Sequence, residues 1–148
     1  MYALHHPELF SSACPLSAST GALSLEDAKV RYRRGRRSRR DSQSSDEPAE
    51  KLEPLSDAQI EAYFKRHSAV ELVKSLPEKP ASENVVRWYI DCGDDDFLYE
   101  GNSLVHIEMR KRGIEHEYRV RQGGHTWTYW RESLPNVLHF VSQAFHQH

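Results

Sequence analysis

The sequence is poor in the devices that staple small domains together. Only two cysteines, Cys14 and Cys92, occur in 148 residues, and neither lies in a CxxC pair or in Cys/His ligand spacing. A disulfide framework and a structural zinc module are therefore excluded, and both thiols read as free and buried. No apolar run approaches the roughly 20 residues that span a bilayer. The opening Met1-Tyr-Ala-Leu-His-His-Pro has no charged stretch leading into an apolar core, so the chain reads as soluble, with no membrane partner and no address to a compartment. Charge of one sign is also missing. Twenty basic residues face 22 acidic ones, a net charge of -2, which gives the molecule as a whole no pull toward nucleic acid.

What is present suffices for one domain with a buried core, at 38% apolar composition. Residues 9–16 (Leu-Phe-Ser-Ser-Ala-Cys-Pro-Leu) form a short apolar run after Pro7, predicting a buried strand preceded by the end of a helix. Residues 21–55 differ sharply. Seven arginines lie between Arg31 and Arg40, followed by Asp41-Ser-Gln-Ser-Ser-Asp-Glu-Pro, and little there can be buried. This segment reads as a partly or wholly disordered surface insertion.

Beyond it, Ser56-Asp-Ala-Gln and Ser68-Ala-Val-Glu have capping-box spacing, each before an apolar helical pattern, and Pro77 should stop the second helix. Residues 85–90 (Val-Val-Arg-Trp-Tyr-Ile) predict a strand feeding the acidic turn Asp91-Cys-Gly-Asp-Asp-Asp. A helix over residues 98–113 places Leu98, Val105 and Met109 on one stripe, has basic residues in its last turn and ends at Gly113. A strand at 116–120 and the loop Gln122-Gly-Gly-His-Thr-Trp follow. A last helix is marked by Leu134, Val137, Leu138, Val141 and Phe145 as its apolar face, with Pro135 near its start. Connections of this length imply parallel pairing. The predicted class is α/β, one domain over 1–148: three parallel strands with flanking helices, in a sheet too small to be complete.

Two strand-end loops hold unusual chemistry. Three adjacent carboxylates, Asp94, Asp95 and Asp96, repel one another, although a solvated turn or helix cap is the plain structural reading. His125 sits between a Gly pair and an aromatic cluster, where it could equally be a packing residue. Together they set an acid after one strand and a His after the next, the chain order in which α/β-hydrolases complete a triad begun by an upstream Ser.

The stretch Trp88-Tyr-Ile-Asp-Cys-Gly-Asp-Asp-Asp-Phe-Leu-Tyr-Glu-Gly-Asn, with Arg119-Val-Arg-Gln-Gly-Gly-His-Thr-Trp-Thr-Tyr-Trp, resembles the C-terminal half of the esterase D-like family of α/β-hydrolases. That family includes feruloyl and acetyl-xylan esterases and S-formylglutathione hydrolases. Tyr2-Ala-Leu-His-His-Pro-Glu-Leu-Phe-Ser-Ser-Ala is similar to its segment entering the sixth strand, so the likeness spans residues 2–20 and about 56–146. The resemblance implies an α/β-hydrolase fold, Asp96 as the acid, His125 as the base, a small-molecule or carbohydrate-linked ester as substrate, and a route needing no cofactor or metal. Trp127, with Tyr129 and Trp130, would line an acyl pocket or pack beneath the His loop. The family's Gly-x-Ser-x-Gly elbow is absent from these residues. Ser103 in Gly101-Asn-Ser-Leu-Val lacks the second Gly and falls inside a predicted helix, so it is a poor substitute. The chain alone is thus expected to be inactive. Two other readings remain: an acyltransferase on the same triad, and a non-catalytic protein whose Arg31 to Arg40 tract binds nucleic acid or an acidic partner and is retained on a polyanion column at low salt.

Overall fold

The computed structural model describes residues 1–42, 54–76 and 86–146. Its centre is a parallel sheet in the order β1-β2-β3, built from Ser12–Ala13 (β1), Arg87–Gly93 (β2) and His116–Arg121 (β3). Trp88 pairs with His116 and Gly93 with Arg121, so both strands end at the same edge of the sheet. Alternation along β2 then sorts the core. Trp88 and Ile90 point to one side, where they join Val70, Val73, Val105 and Met109. Tyr89 and Asp91 point to the other, where Phe140 tilts against the Tyr89 ring at 5.4 Å.

Helices cover both faces, as a parallel sheet requires. After the short helix α1 (Tyr2–His5), α4 (Ala69–Ser75) and α5 (Tyr99–Lys111) pack on the Trp88 side, and α6 (Trp127–Ser142) packs on the Tyr89 side. Ser56 and Gln59 form the complete capping box that starts α3 (Asp57–His67), and Ser68 caps α4 through the N–H of Glu71. α5 ends with Arg110 and Lys111 in its last turn and Gly113 at φ 67°, a left-handed position suited to glycine. Pro77 lies outside the described residues, and α4 already ends at Ser75.

Four expectations change. Within the arginine-rich segment, Leu25–Ser42 form a helix, α2. Glu26 and Asp27 occupy its first turn, the Ser24 hydroxyl accepts from the N–H of Asp27, and Ala28 packs with Ile60 and Phe64 of α3 while Lys29 pairs with Asp57 at 3.0 Å. The arginine count hid that apolar and capping pattern; residues 43–53 lie outside the described residues. The first strand is also shorter than its apolar run: only Ser12 and Ala13 join the ladder, Leu16 adds one bridge to Asp91, and Cys14 is half-buried rather than buried. α6 starts at Trp127, so Pro135 stands in its interior, on the exposed side where water can take the carbonyl it leaves without a donor. Finally, α6 buries Tyr129, Ser133 and Phe140, leaving Leu134 and Leu138 exposed.

Candidate active site

The acidic turn and the His loop rise side by side because β2 and β3 end together. Past Gly93 the two loops are laced: the N–H of Asp94 donates to the Arg121 carbonyl at 3.0 Å, the N–H of Asp95 to the Gly123 carbonyl at 3.1 Å, and the N–H of Gly123 to Asp94 Oδ1 at 2.9 Å. The approach is so close that a Cβ on Gly93 would lie 1.9 Å from the Gly123 carbonyl oxygen. Gly123 itself has φ 143°, and a Cβ there would strike the Tyr129 ring. Both positions exclude a side chain.

This lacing separates the three carboxylates. Asp94 and Asp95 are exposed, whereas Asp96 is 1% exposed. Its Oδ1 accepts the Leu98 N–H at 2.9 Å, and its Oδ2 accepts from His125 Nδ1 at 3.0 Å. Burial pushes the Asp96 carboxyl upward, but the Ser17 hydroxyl, the Leu98 N–H and His125 together hold it below the ordinary carboxylate range. It is therefore ionised at neutral pH. With Nδ1 held as the donor, Nε2 of His125 carries the lone pair. Phe97 lies tilted against the imidazole and Trp130 edge-on to it, each with a centroid separation of 4.8 Å.

Beneath the His loop is a buried group that the sequence did not announce. Asp91, with no exposed surface, accepts from Tyr89 Oη at 3.1 Å, from Tyr129 Oη, and from Arg121 Nη2 at 2.6 Å; Arg121 also reaches Ser133. Tyr129 and Ser133 belong to α6, so one buried carboxylate ties that helix to β2 and β3. The sequence places Asp91 at the start of the acidic turn, whereas β2 runs on to Gly93 and so carries this carboxylate into the buried layer. Thr126, the residue after His125, caps α6 by accepting the Tyr129 N–H, which fixes the start of the helix at Trp127.

The remaining sequence candidates fall elsewhere. Trp127 is 75% exposed and meets Trp130 edge-on at 5.2 Å, so it does not pack beneath the loop; Tyr129 does. Ser103 lies within α5, hydrogen-bonded to Tyr118 Oη at 2.9 Å, far from any strand-to-helix elbow. Burial pushes the Cys92 thiol up to about 11, so it is not a nucleophile at neutral pH. Among the described residues no three His, Cys, Asp or Glu side chains converge as metal ligands would, and no helix is long and apolar enough to cross a membrane.

A carboxylate and an imidazole paired at the strand ends of a parallel sheet are shared by many hydrolases, so the dyad alone leaves the family open. The sequence model of the family described as "Putative esterase" matches residues 1–141. The chain belongs to this esterase family. It is similar to an acetyl esterase of Caldicellulosiruptor saccharolyticus, with 31% identity over 73 residues, which cover 49% of this chain and 27% of that protein. Among solved structures, a ferulic acid esterase superposes with a TM-score of 0.61 at 28% identity, covering 97% of this chain and 46% of its own. The fluorophosphonate-binding serine hydrolase F of Staphylococcus aureus shares the fold at a TM-score of 0.58 and 18% identity, covering 94% and 47%. This esterase-family chain thus has a partial α/β-hydrolase fold and spans less than half the length of these relatives.

Proposed function

We propose that this chain supplies the acid and the base of a carboxylic ester hydrolase, and that the serine nucleophile comes from outside these 148 residues. The observation that carries this is the 3.0 Å pairing of His125 Nδ1 with the buried Asp96 carboxylate at the carboxyl ends of β2 and β3. In the reaction, His125 Nε2 takes the proton of the serine hydroxyl as Oγ bonds to the ester carbonyl carbon. Asp96 stabilises the imidazolium that forms, and the imidazolium protonates the departing alcohol. Water then repeats the sequence on the acyl-enzyme, releasing the acid and restoring the serine.

The names of the two relatives above 25% identity point to acetyl and feruloyl esters as the first substrates to try. Phe97 and Trp130 flank the imidazole, the exposed Trp127 stands edge-on to Trp130, and these rings suit an apolar or planar acyl group.

The test compares this chain with a longer polypeptide that adds an upstream Gly-x-Ser-x-Gly elbow, using p-nitrophenyl acetate and a feruloyl ester. The longer form should turn over and the chain alone should not, a difference on the order of a million-fold for a lost nucleophile. His125→Ala in the longer form should abolish the rate. Equal rates for the two forms would refute the proposal.

A further inference from the structure

The loop that carries His125 is held at both ends by one residue. At its start Gly123 abuts the Tyr129 ring, where an added Cβ would come within 2.6 Å of Cδ2. At its end the Thr126 N–H turns back to the Gly124 carbonyl at 2.9 Å, and the Thr126 hydroxyl accepts the Tyr129 N–H at 3.3 Å. The ring of Tyr129 thus meets one end of residues 123–126 and its backbone meets the other. His125 lies between the two holds.

Tyr129 is itself anchored from below. It is 5% exposed, and its hydroxyl donates to Asp91 Oδ1. Burial and the Asp91 carboxylate raise the phenol above its ordinary range, so the donor keeps its proton. Asp91 cannot drift either. Its carboxylate also takes Tyr89 Oη and Arg121 Nη2, its N–H donates to the Pro15 carbonyl at 3.1 Å, and its carbonyl accepts the Ser17 N–H at 2.8 Å. Asp96 follows Asp91 along the same strand and its turn. The acid is therefore placed by the chain of β2 directly, and the base by a side chain bonded to that same strand.

Docking a helix on a sheet does not require this arrangement. A phenylalanine would meet Gly123 with the same ring, and a buried ion pair contributes little stability over apolar contacts of similar volume. What the hydroxyl adds is a direction, since a hydrogen bond to a fixed carboxylate stops the ring from sliding along the sheet. On the reading of His125 as the base of a triad, we propose that Tyr129 is a positioning residue, whose hydroxyl on Asp91 sets where the imidazole stands against Asp96. Ser133 supplies the comparison. It lies one turn further along α6 in the same buried network, with its hydroxyl on the Tyr129 carbonyl at 2.9 Å and on Arg121.

The experiment records the imidazole ¹⁵N spectrum of His125 in the full chain, as wild type, Tyr129→Phe and Ser133→Ala. Phenylalanine keeps the ring and the Thr126 cap, so only the anchor is lost. Both variants remove a buried hydroxyl and should lower the urea midpoint. Only Tyr129→Phe should shift the His125 Nδ1 signal. A signal unmoved in Tyr129→Phe, or moved equally in both variants, overturns the proposal. Should Tyr129→Phe fail to fold, Thr126→Val releases the other hold on the loop; the same shift is expected, and its absence overturns the proposal. In the longer polypeptide with the serine elbow, Tyr129→Phe should lower kcat by about ten-fold to a hundred-fold with KM unchanged. A change confined to KM counts against it. The triad reading is judged first and without these variants: if Asp96→Asn leaves the His125 ring signals of the chain unchanged, that reading fails whatever Tyr129 does.

Discussion

Cys92 carries a signature of burial that can be measured without any substrate. Its thiol is raised by burial, then by the Asp96 and Asp91 charges, from an ordinary value near 9 to about 11. A raised acid favours its neutral form in the fold, so the stability it contributes is fully present below pH 9 and is lost as pH climbs toward 11. Urea unfolding across that range should show wild type losing stability that Cys92→Ala does not lose; parallel curves would contradict this. Tyr89, raised by burial and by Asp91 to about 12, extends the decline from about pH 10 to 12, and Tyr89→Phe should flatten that upper part. At this scale the sequence was informative where chemistry is dense. Asp96 and His125 were readable because an acid and a base followed successive strands. The left-handed backbone of Ser17 was not, since a serine in the polar run Ser-Ala-Ser-Thr-Gly has no periodic partner, and that geometry emerges only once Leu16 pairs with Asp91.

Among the elements, β2 and α6 decide whether the dyad forms. Tyr129→Phe removes a buried hydroxyl from Asp91 and leaves that carboxylate short of a donor, a loss of roughly 1–3 kcal/mol in urea denaturation. Gly93→Ala forces a methyl into the Gly123 carbonyl, so the two loops must part. Overpacking of this kind costs about 1–3 kcal/mol. The Nδ1 proton of His125 should also lose its downfield resonance, and an unchanged imidazole spectrum in Gly93→Ala would show that the lacing does not set the geometry. Strands β2 and β3, helices α3 and α5 and both serine caps were legible, because apolar period and cap residues agree locally. The face of α6 was misread for the opposite reason. Its buried side is held by Tyr129 and Ser133, tied to the buried Asp91 carboxylate and its partner Arg121, and by Phe140 against Tyr89, while aliphatic residues mark the other side. An arginine-rich composition likewise concealed α2, whose contacts with α3 rest on Ala28 and an ion pair.

Viewed whole, the described residues form a three-layer arrangement with unprotected boundaries. β1 has a partner on one side only, and Trp127, Leu134 and Leu138 lie exposed on one face of α6. A free strand edge and an apolar helix face together invite association. The isolated chain should bind the dye ANS and self-associate with rising concentration, measured by light scattering, and a longer family polypeptide should do neither. A monodisperse, ANS-silent chain would contradict this. The α/β class and the incompleteness of the sheet were both legible from the count of strands, since three buried-type strands cannot cover one another.

The crossover between acid and base enters their alignment only where it begins. Asp96 and His125 are set by where β2 and β3 stop, and the start of α5 adds the Leu98 N–H that Asp96 accepts. Lengthening the connection after Gly113, or cutting it there, should therefore leave the carboxylate and imidazole facing each other. The dyad belongs to the sheet's edge and not to the path the backbone takes between its two halves.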